Sequence, residues 1–558
     1  MAGLTLDFKA KNVPKDIGAG LTLAMVAIPD SIASAILAGV NPIFAFNSMM
    51  VGMPVAGLFT SSQFMNCALT SAMMLAVGGV MVGVSAAEQV SVLVTLTILV
   101  GLFQFLLGVF KLGSLTRFIS NAVMTGFFTG IAVTIILSQL GDLTGYESEA
   151  GSHLARAADL LFHLNQIQWP ALLTGVATFA IILLLVRTRL RPYSLILALL
   201  LTSGAVSLLG LESVHLVGDS YDISGALPRL ALPALSLVPK LLLPAIAIAL
   251  IGLIQGAGVS QNIPNPDGDY PDASRDFLGQ GIGNTVAGFF QGLPVGGSLA
   301  GTALSVSSGA QSRWANVFSG LIFIVLVLLF GNLVELVAEP AIAALLIVAG
   351  LETINRARIA DVWDVGVGPR LIMLFTLIAT LILPVQWAVF LGVALSILVY
   401  VARASSDIEV REVQRREDGL FDEQPAPAQL NDESITILHV WGSLFFSGAY
   451  TLQDRLPEVG DAQRAVAILR LRGRSQIGST FIQVLERYAQ QLQANGGKLM
   501  LAGVSEHVME QLVKTETFET IPQEDVFLAK DTLGRSTLDA MAAAELWLAE
   551  KTASEGKE

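Results

Sequence analysis

One carboxylate stands alone inside the first long apolar run of the sequence. Asp30 is the only charged residue between Asp16 and Glu88, and it directly follows Pro29 near the middle of residues 17–38. An ionised carboxylate in a bilayer is costly unless it is paired or protonated, and such residues commonly mark a path for ions. We therefore predict that Asp30 binds a proton or a sodium ion. The alternative is a structural role, in which Asp30 hydrogen-bonds a turn broken by Pro29 or reaches a water-filled cavity.

Two further segments place polar and small residues where an apolar helix would be expected. Residues 66–84 open with polar and small side chains, and residues 296–309 are short and rich in Gly and Ser. Each is the third apolar segment of its half of the chain, and such paired interruptions are typical of an inverted repeat whose broken helices meet near the membrane midplane. The N-termini of those helices would present unpaired N–H groups that favour an anion. Small residues could instead serve close helix packing.

The second half of the chain offers Asp30 no obvious cationic partner. No charged residue occurs between Lys240 and Asp267, or between Asp276 and Arg313. A bare carboxylate would repel an approaching anion, and a bound proton or sodium ion would remove that repulsion. Cation and anion would then each raise the affinity for the other. This reasoning predicts a symporter in which Asp30 is the coupling site.

The chain that must position these groups is unusually apolar. Its 558 residues are 53% hydrophobic and only 14% charged, with a mean hydropathy of +0.67, whereas about a quarter of the residues in a soluble domain are charged. A membrane span needs about 20 apolar residues. Seven runs precede the Pro-rich stretch 211–240 and seven follow it, at residues 17–38, 43–59, 66–84, 89–110, 118–140, 169–186, 193–210, 241–259, 277–293, 298–309, 314–337, 340–354, 371–384 and 386–402.

These runs predict an all-α polytopic membrane protein with fourteen transmembrane segments. The expected organisation is an N-terminal segment 1–15 followed by a transport domain 16–403, whose seven-plus-seven inverted repeats occupy about 16–210 and 238–403. An even number of crossings places both termini on one side. The Lys and Arg residues of the short loops lie on that side, whereas the loop 141–168 holds four acidic residues against Arg156. Both termini are therefore predicted to be cytoplasmic.

Several classes of partner are disfavoured by composition. The net charge of −13 and the pI of about 4.9 argue against nucleic acid, which selects basic surfaces. A single cysteine, Cys67, excludes an internal disulfide framework and a paired-cysteine zinc site. The five histidines are scattered, and none lies in a long apolar run. No metal and no cofactor is predicted beyond a co-transported H+ or Na+.

The last 155 residues have the composition of a soluble acidic domain. Residues 404–558 hold 25 of the 45 acidic and 15 of the 32 basic residues. Residues 404–433, which include Pro425 and Pro427, are predicted to be a linker. Strand-like residues 434–440 and 465–471 then alternate with helical residues 480–493 and 505–515, which predicts a small α/β domain at 434–558. It contains no recognisable nucleophile–base pair, so we expect a regulatory or dimer-supporting module and not an enzyme.

Motifs along nearly the whole chain resemble the sulfate permease (SulP) family, whose relatives include pendrin and prestin. The tail resembles a STAS domain. The matching residues are 20–22, 27–33 and 37–42 near the start, 270, 272–273, 278–290, 296–299 and 302–303 in the second half, and 468–472, 496–499, 501–504 and 527 in the tail.

The resemblance implies a fold, an assembly and a site. The fold is a fourteen-helix inverted repeat with a core domain and a gate domain, and the assembly is a homodimer in the inner membrane that moves anions by an elevator motion. The starts of helices 3 and 10 would form the substrate cradle, with helix 1 at Asp30 and helix 8 at Gln255 beside it as the coupling-ion positions. The cradle residues are then Asn66, Cys67, Ala68, Leu69, Thr70, Ser71, Gly297, Ser298, Leu299, Ala300, Gly301 and Thr302.

This chain departs from the family pattern at three places. Ala68-Leu69 stands where many members have Gly-Pro, Gly301 where many have Arg, and Gln255 where an acid is frequent. Without that arginine, helix dipoles and hydroxyl groups remain as the donors of the cradle. Such a site should favour a weakly charged anion or one neutralised by a co-bound cation, and sulfate, bicarbonate, chloride and dicarboxylates all stay open.

The hydroxyl groups of the cradle have structural alternatives. Ser298 could be a helix cap, and Thr70 and Thr302 could bond back to the preceding turn. In the tail, the stretch 477–481 matches the position of the phosphorylatable residue in STAS domains of the anti-sigma antagonist kind. Thr480 could accept a phosphate at a helix N-terminus, whereas Ser479 is expected to act as an N-cap.

Taken together, the residues predict a secondary active transporter of a small anion, coupled to H+ or Na+. Three alternatives remain open from sequence. A nucleobase transporter of the same architecture would want an acid on helix 8, where this chain has Gln255. A passive anion channel needs no coupling group. A membrane-anchored signalling protein would use the tail as its working part.

Overall fold

The fold is described from a computed structural model for residues 8–113, 119–221, 223, 227–442, 444 and 446–555. Parts of the predicted segments 1–15 and 434–558 lie outside these residues. The chain divides between residues 396 and 397 into two compact units. Each unit is described by itself.

The first half of the N-terminal unit is a succession of helices interrupted by one short strand. Its elements are α1 (Val13–Leu37), α2 (Pro42–Asn47), α3 (Met53–Phe59), β1 (Asn66–Ala68), α4 (Ser71–Met81), α5 (Ala86–Val109), α6 (Asn121–Ser138), α7 (Leu140–Thr144), α8 (His153–Phe162), α9 (Trp169–Val186), α10 (Ser194–Leu209) and α11 (Val217–Ser220). A π-helical turn, Ser48–Gly52, joins α2 to α3, so that Pro42–Phe59 is one span.

The second half repeats this pattern of helices with one short strand. Its elements are α12 (Val238–Asn262), α13 (Ala273–Phe289), β2 (Gly296–Ser298), α14 (Leu299–Ser307), α15 (Trp314–Val334), α16 (Glu339–Thr353), α17 (Arg356–Val365), α18 (Val367–Ile382) and α19 (Val385–Ser406), whose residues from Ile397 onward belong to the C-terminal unit.

Ten helical stretches in the described residues are long and apolar enough to cross a membrane. They coincide with ten of the fourteen predicted runs. The other four runs coincide with α4, α13, α14 and α18, which are shorter or more polar. α4 and α14 are short because the chain before each of them is extended, as β1 and β2.

Glycines allow the full-length helices to pack closely. A Cβ atom at Gly101 of α5 would lie 2.4 Å from the backbone nitrogen of Thr285 on α13, and one at Gly281 of α13 would lie 2.3 Å from that of Phe105 on α5. Small residues at such crossings are how helices associate where lipid supplies no hydrophobic drive. Many large apolar side chains, such as Leu208 and Leu329, are exposed on the outside of the unit, as expected of a surface that faces acyl chains.

The C-terminal unit contains a six-stranded sheet of order β4-β3-β5-β6-β7-β8. Its strands and helices are β3 (Glu409–Arg415), β4 (Phe421–Pro425), β5 (Ile435–Trp441), α20 (Phe446–Arg455), β6 (Val466–Arg470), α21 (Ser479–Ala494), β7 (Lys498–Val504), α22 (Glu506–Lys514), β8 (Val526–Leu528) and α23 (Arg535–Glu555). β5 to β8 are parallel, and β3 and β4 pair antiparallel to their neighbours.

The predicted strands and helices of this unit are present, but the predicted linker is wrong in part. Within residues 404–433, β3 and β4 form a hairpin that extends the sheet beside β5. Val410 and Val413 of β3 are buried, which anchors the hairpin. Pro425 lies at the end of β4, an edge strand, where the missing N–H removes no ladder bond.

Both faces of this sheet are covered. Leu438, Leu469 and Leu501 pack with Phe481 and Leu485 of α21 on one face. On the other face, a second cluster combines Ile437, Ile468 and Met500 with Ala540 and Ala544 of α23. Successive side chains of each strand belong alternately to the two clusters, because neighbouring residues of a strand point to opposite faces of the sheet.

Candidate functional site

The two short strands of the N-terminal unit pair with each other. β1 and β2 run antiparallel, with Asn66 opposite Ser298, Cys67 opposite Gly297 and Ala68 opposite Gly296. α4 begins at Ser71, just after β1, and α14 begins at Leu299, directly after β2. The structure therefore brings together the starts of the two half-helices, which are more than two hundred residues apart in the chain.

The first turn of each half-helix is capped by a hydroxyl group. Ser298 Oγ accepts a 3.0 Å hydrogen bond from the Gly301 N–H, as the capping alternative predicts. Thr70 is the N-cap of α4, and its Oγ1 accepts a weaker, 3.4 Å bond from the Met73 N–H. The predicted back-bond of Thr70 to a preceding turn is thus wrong, because no helical turn precedes it.

Thr302 makes the back-bond expected of it and a second bond across the site. Its Oγ1 donates to the Ser298 carbonyl at 2.6 Å and accepts from the Asn66 N–H at 3.0 Å. Thr302 therefore links α14 to β1, in addition to the strand pairing.

The caps leave first-turn amides unused. An α-helix has no internal acceptor for its first N–H groups. Among the described residues, no side-chain or loop acceptor binds the N–H groups of Ser71 and Ala72 in α4, or those of Leu299 and Ala300 in α14. Two sets of unpartnered donors, each at the positive end of a helix dipole, thus lie at the same place in the fold.

The predicted cradle residues differ in their access to solvent. Leu299 and Ala300 are exposed, and the half-buried members are Thr70, Ser71, Ser298 and Gly301. The buried members are Asn66, Cys67, Ala68, Leu69, Gly297 and Thr302. The buried side chains serve packing and hydrogen bonding inside the protein, so that contact with a solute is left to the exposed and half-buried group.

Gln255 joins the cradle from α12. Its Oε1 accepts a 2.8 Å hydrogen bond from the Thr70 hydroxyl, and its side chain is half-buried. Within the described part of the chain, its amide nitrogen has no hydrogen-bond acceptor. Gln255 thus offers a neutral donor beside the start of α4.

Asp30 lies on α1, which packs against both α4 and α14. Its side chain is half-buried, and among the described residues its carboxylate makes no hydrogen bond and no ion pair. α1 continues from Val13 to Leu37 through Pro29. The expected broken turn is therefore wrong, and so is the alternative in which Asp30 hydrogen-bonds it.

Glycines bring the backbone of β2 against α12. A Cβ atom at Gly296 would lie 3.1 Å from the Cα of Gly252, and one at Gly297 would lie 2.6 Å from the Cα of Gly256. No side chain fits between these backbones. This close approach is the reason for glycine at both strand positions.

Gly301 stands at the position where many family members have Arg, and the Asn66 side chain of β1 fills the space beside it. A Cβ atom at Gly301 would lie 2.5 Å from Oδ1 of Asn66. Asn66 in turn is held by its own bond from Nδ2 to Asn316. A side chain at position 301 would therefore have to displace Asn66.

Sequence reasoning missed the carboxamides that surround β1 and β2. Gln104, Gln280, Asn284 and Asn316 are fully or almost fully buried. Gln280, Asn284 and Asn316 hydrogen-bond at or next to the strand pair, and Gln104 hydrogen-bonds Asn284. The available signal was the presence of polar amides inside three otherwise apolar or small-residue runs, at residues 89–110, 277–293 and 314–337. Such residues are expected to be hydrogen-bonded where lipid excludes water.

The predicted regulatory residues of the tail lie at the start of α21. Ser479 is the first residue of the helix and is exposed, and Thr480 is half-buried. The N-cap is Gly478, and no side chain caps this helix. The predicted N-cap role of Ser479 is therefore wrong by one position. In the described residues, no cluster of His, Cys, Asp and Glu could hold a metal ion.

Most of the chain is similar to known protein families. The model of the sulfate permease family matches residues 13–376, and that of the STAS domain matches residues 427–532. A putative sulfate transporter of Bacillus subtilis is 26% identical over 529 residues, which cover 93% of this chain and 97% of that protein. A probable sulfate transporter of Mycobacterium tuberculosis is also 26% identical, over 93% of this chain and 94% of its own.

Solved structures share the fold. The structure of the murine solute carrier 26 family member A9 anion transporter in the inward-facing state matches with a TM-score of 0.83, at 17% identity over 97% of this chain and 93% of that one. The transmembrane domain of a cyanobacterial bicarbonate transporter matches with a TM-score of 0.57, at 21% identity over 70% of this chain and 98% of that one.

Proposed function

Because this chain belongs to the sulfate permease family, whose members are membrane transporters and not enzymes, we propose that it is a secondary active transporter of a small anion. One observation carries the proposal: β1 and β2 pair, so that the unpartnered first-turn amides of α4 and α14 lie together. Backbone donors at two helix N-termini suit an anion and need no cationic side chain.

The chemistry of the cradle limits which anions the site can bind. Between residues 66 and 71 and between 297 and 302 there is no Lys or Arg, and Asn66 fills the space beside Gly301. The donors are therefore amides and hydroxyl groups, with the Gln255 amide beside them. We expect bicarbonate or sulfate to bind best, sulfate only with a co-bound cation, and chloride and dicarboxylates to compete.

Asp30 is the proposed coupling group. Its carboxylate is half-buried on α1, which packs against both half-helices, and it makes no ion pair among the described residues. A proton or sodium ion at Asp30 would cancel the negative charge that an incoming anion meets. The two ions would then bind with positive cooperativity, which is the thermodynamic basis of symport.

The proposed membrane architecture has fourteen crossings in two inverted repeats. In support, α4, α13, α14 and α18 occupy the four predicted runs that the ten long stretches do not. β1 precedes α4 and β2 precedes α14 at matching places in the two halves, as paired broken helices do. Both termini and the STAS domain are then cytoplasmic, and a homodimer in the inner membrane moves its core domain against its gate domain like an elevator.

Uptake into proteoliposomes tests this proposal. The purified full-length protein would be reconstituted, and uptake of radiolabelled sulfate and bicarbonate would be measured with an imposed pH gradient, an imposed sodium gradient or neither, with chloride, succinate and uracil as competitors. We expect accumulation of one of the two anions that depends on one gradient. Uptake without gradient dependence would indicate a channel, competition by uracil alone would indicate a nucleobase transporter, and absence of uptake would overturn the transport proposal in favour of a signalling role.

A further inference from the structure

A buried asparagine grips the residue that immediately precedes β2. Oδ1 of Asn284, on α13, accepts a 2.6 Å hydrogen bond from the Val295 N–H, and Nδ2 of Asn284 donates a 2.8 Å hydrogen bond to the Val295 carbonyl. Both residues are fully buried. The carboxamide thus pairs with both backbone polar groups of one residue, as a neighbouring strand would.

A second buried asparagine grips the residue that immediately precedes β1. Asn316 of α15 donates from Nδ2 to the Met65 carbonyl over 3.0 Å, and its Oδ1 accepts from the Asn66 side chain over 3.1 Å. Asn316 is 1% exposed. Each strand of the pair is therefore held by an Asn of a neighbouring helix. Asn284 bonds Val295 just before β2, and Asn316 bonds Met65 just before β1 and Asn66 at its start.

The grip of Asn284 is tied into the surrounding helices. Asn284 Nδ2 also donates to Oε1 of Gln104 on α5 over 2.7 Å, and Gln104 Nε2 donates to the Ala249 carbonyl of α12 over 3.3 Å. Gln280, one turn before Asn284 on α13, accepts the Gly297 N–H at 3.3 Å. Two carboxamides of α13 thus hold β2 and the residue before it, and Gln104 links Asn284 to α5 and α12.

The physical need for these grips follows from the break in each helix. An extended stretch in an apolar interior has N–H and C=O groups that no helix satisfies, and each one left unpaired costs about 1–3 kcal/mol. A carboxamide carries both a donor and an acceptor and can satisfy the N–H and the C=O of one extended residue. Because the grip acts at the point where each extended stretch begins, it also sets where the following half-helix starts.

We infer that Asn284 and Asn316 are positioning residues that hold the first turns of α14 and α4 at the spacing that the anion requires. This inference rests on the proposed function. Neither side chain would touch the anion, since both are buried behind the strands. Their effect would pass through Val295, Met65 and the paired strands to the first-turn amides.

Isosteric variants test the inference. Asn284→Leu and Asn316→Leu would be compared with controls on the same helices: Thr285→Val, which removes only an intrahelical bond to Gly281, and Ser319→Ala, which removes a buried hydroxyl that has no hydrogen-bond partner. KM and maximal rate for sulfate or bicarbonate uptake would be measured per folded protein, together with hydrogen–deuterium exchange of residues 66–68 and 295–298.

We expect each Asn→Leu variant to raise KM about tenfold or more, because lost positioning weakens every amide contact, and to raise exchange selectively at its own strand. The controls should stay within about twofold of the parent. A purely structural role would lower the amount of folded protein and leave KM unchanged, and this outcome would overturn the inference. Should Asn284→Leu not fold, Gln104→Leu, which removes the bond that supports Asn284 and the bond to the Ala249 carbonyl, is expected to give a smaller rise in KM, and an unchanged KM would count against the inference.

The two proposals fail in different ways. Selectively raised exchange in a protein whose parent takes up neither anion would overturn anion transport and retain the positioning role. Normal parental uptake with unchanged KM and unchanged exchange in both variants would overturn the positioning role and retain transport.

Discussion

The hydroxyl of Thr70 donates a 2.8 Å hydrogen bond to Oε1 of Gln255, and this bond joins the start of α4 to α12. The same hydroxyl oxygen caps the first turn of α4 by accepting from Met73. Gln255 therefore lies where a charge would act directly on the proposed anion site. Its neutrality has consequences that can be measured.

The variant Gln255→Glu should impair uptake in a pH-dependent way. A carboxylate at this position keeps an acceptor for Thr70 but repels the anion, and like charges at close range cost several kcal/mol, so we expect at least about a tenfold rise in KM near neutral pH. Protonated glutamic acid is neutral, so KM should fall toward the parental value as the pH approaches the ordinary glutamate pKa of about 4.3. The measurement is sulfate uptake against pH in proteoliposomes, because bicarbonate is converted to CO2 in acid.

Gln261→Glu supplies the control for this prediction, because Gln261 is exposed near the end of the same helix. It should change KM by less than about twofold. Equal KM values for Gln255→Glu and the parent at neutral pH would contradict a site beside Thr70.

Asp30→Asn should abolish accumulation driven by the coupling gradient. The neutral side chain removes the charge that the proposed proton or sodium ion must cancel, so anion flux should persist while its dependence on the gradient disappears. Uptake would be compared with and without an imposed pH or sodium gradient. Asp361→Asn, at an exposed position of α17, is the matched control and should retain coupling. Gradient-driven accumulation by Asp30→Asn at the parental level would refute the coupling role.

Gly297→Ala should destabilise the strand pair. The added Cβ atom would lie 2.6 Å from the Cα of Gly256, and because backbone atoms cannot rotate away, we expect a loss of about 1–3 kcal/mol and a lower unfolding temperature. Gly258→Ala on α12 is the control, since a Cβ atom there meets nothing within 4 Å. It should leave the unfolding temperature unchanged or raise it slightly. Thermal unfolding of the detergent-solubilised protein measures both, and equal unfolding temperatures would contradict the close approach.

His439 should titrate below the ordinary histidine range. Burial lowers the pKa of His439, and Arg470 lowers it further, whereas the hydrogen bond that the His439 ring donates to Glu423 raises it. The His439 ring lies 4.6 Å from the ring of Trp441, so the fluorescence of Trp441, taken as the difference from Trp441→Phe, can report its protonation. We expect a midpoint below about 6.5, the ordinary histidine value.

The sign of the linked stability follows from this lowered pKa. The unfolded chain binds the proton more readily than the folded one, so the contribution of His439 to stability is present above about pH 6.5 and is lost as the pH falls. Glu423→Gln should move the midpoint still lower, because it removes the one partner that raises the pKa of His439. A midpoint above the ordinary value, or an upward shift in Glu423→Gln, would contradict the assignment.

The sequence alone predicted the membrane character of the chain, the places where its helices break and the α/β tail. These properties are local: an apolar run, a glycine-rich stretch or an alternation of residues is visible within about 20 positions. The strands predicted at 434–440 and 465–471 match β5 and β6 to within one residue at every boundary. The isolation of Asp30 was equally visible, because it needs only a count of charges along the chain.

The predictions that failed concern segments whose local sequence suggests one structure while tertiary packing stabilises another. Residues 404–433 looked like a linker because charges and prolines outnumber apolar residues, yet Val410 and Val413 anchor a hairpin by packing into the clusters on the two faces of the sheet. Pro29 does not interrupt α1, although an isolated helix would be expected to break there.

What only the tertiary structure decided is the meeting of β1 with β2, the grip of Asn284 and Asn316 on the residues before them, and the filling of the space beside Gly301 by Asn66. Most of these contacts join residues about 230 to 250 positions apart, whereas Asn284 bonds Val295 at a separation of 11. No local pattern encodes such a pairing. It arises because backbone groups released by a broken helix in an apolar interior must find partners, and which partners are within reach depends on how the whole bundle packs.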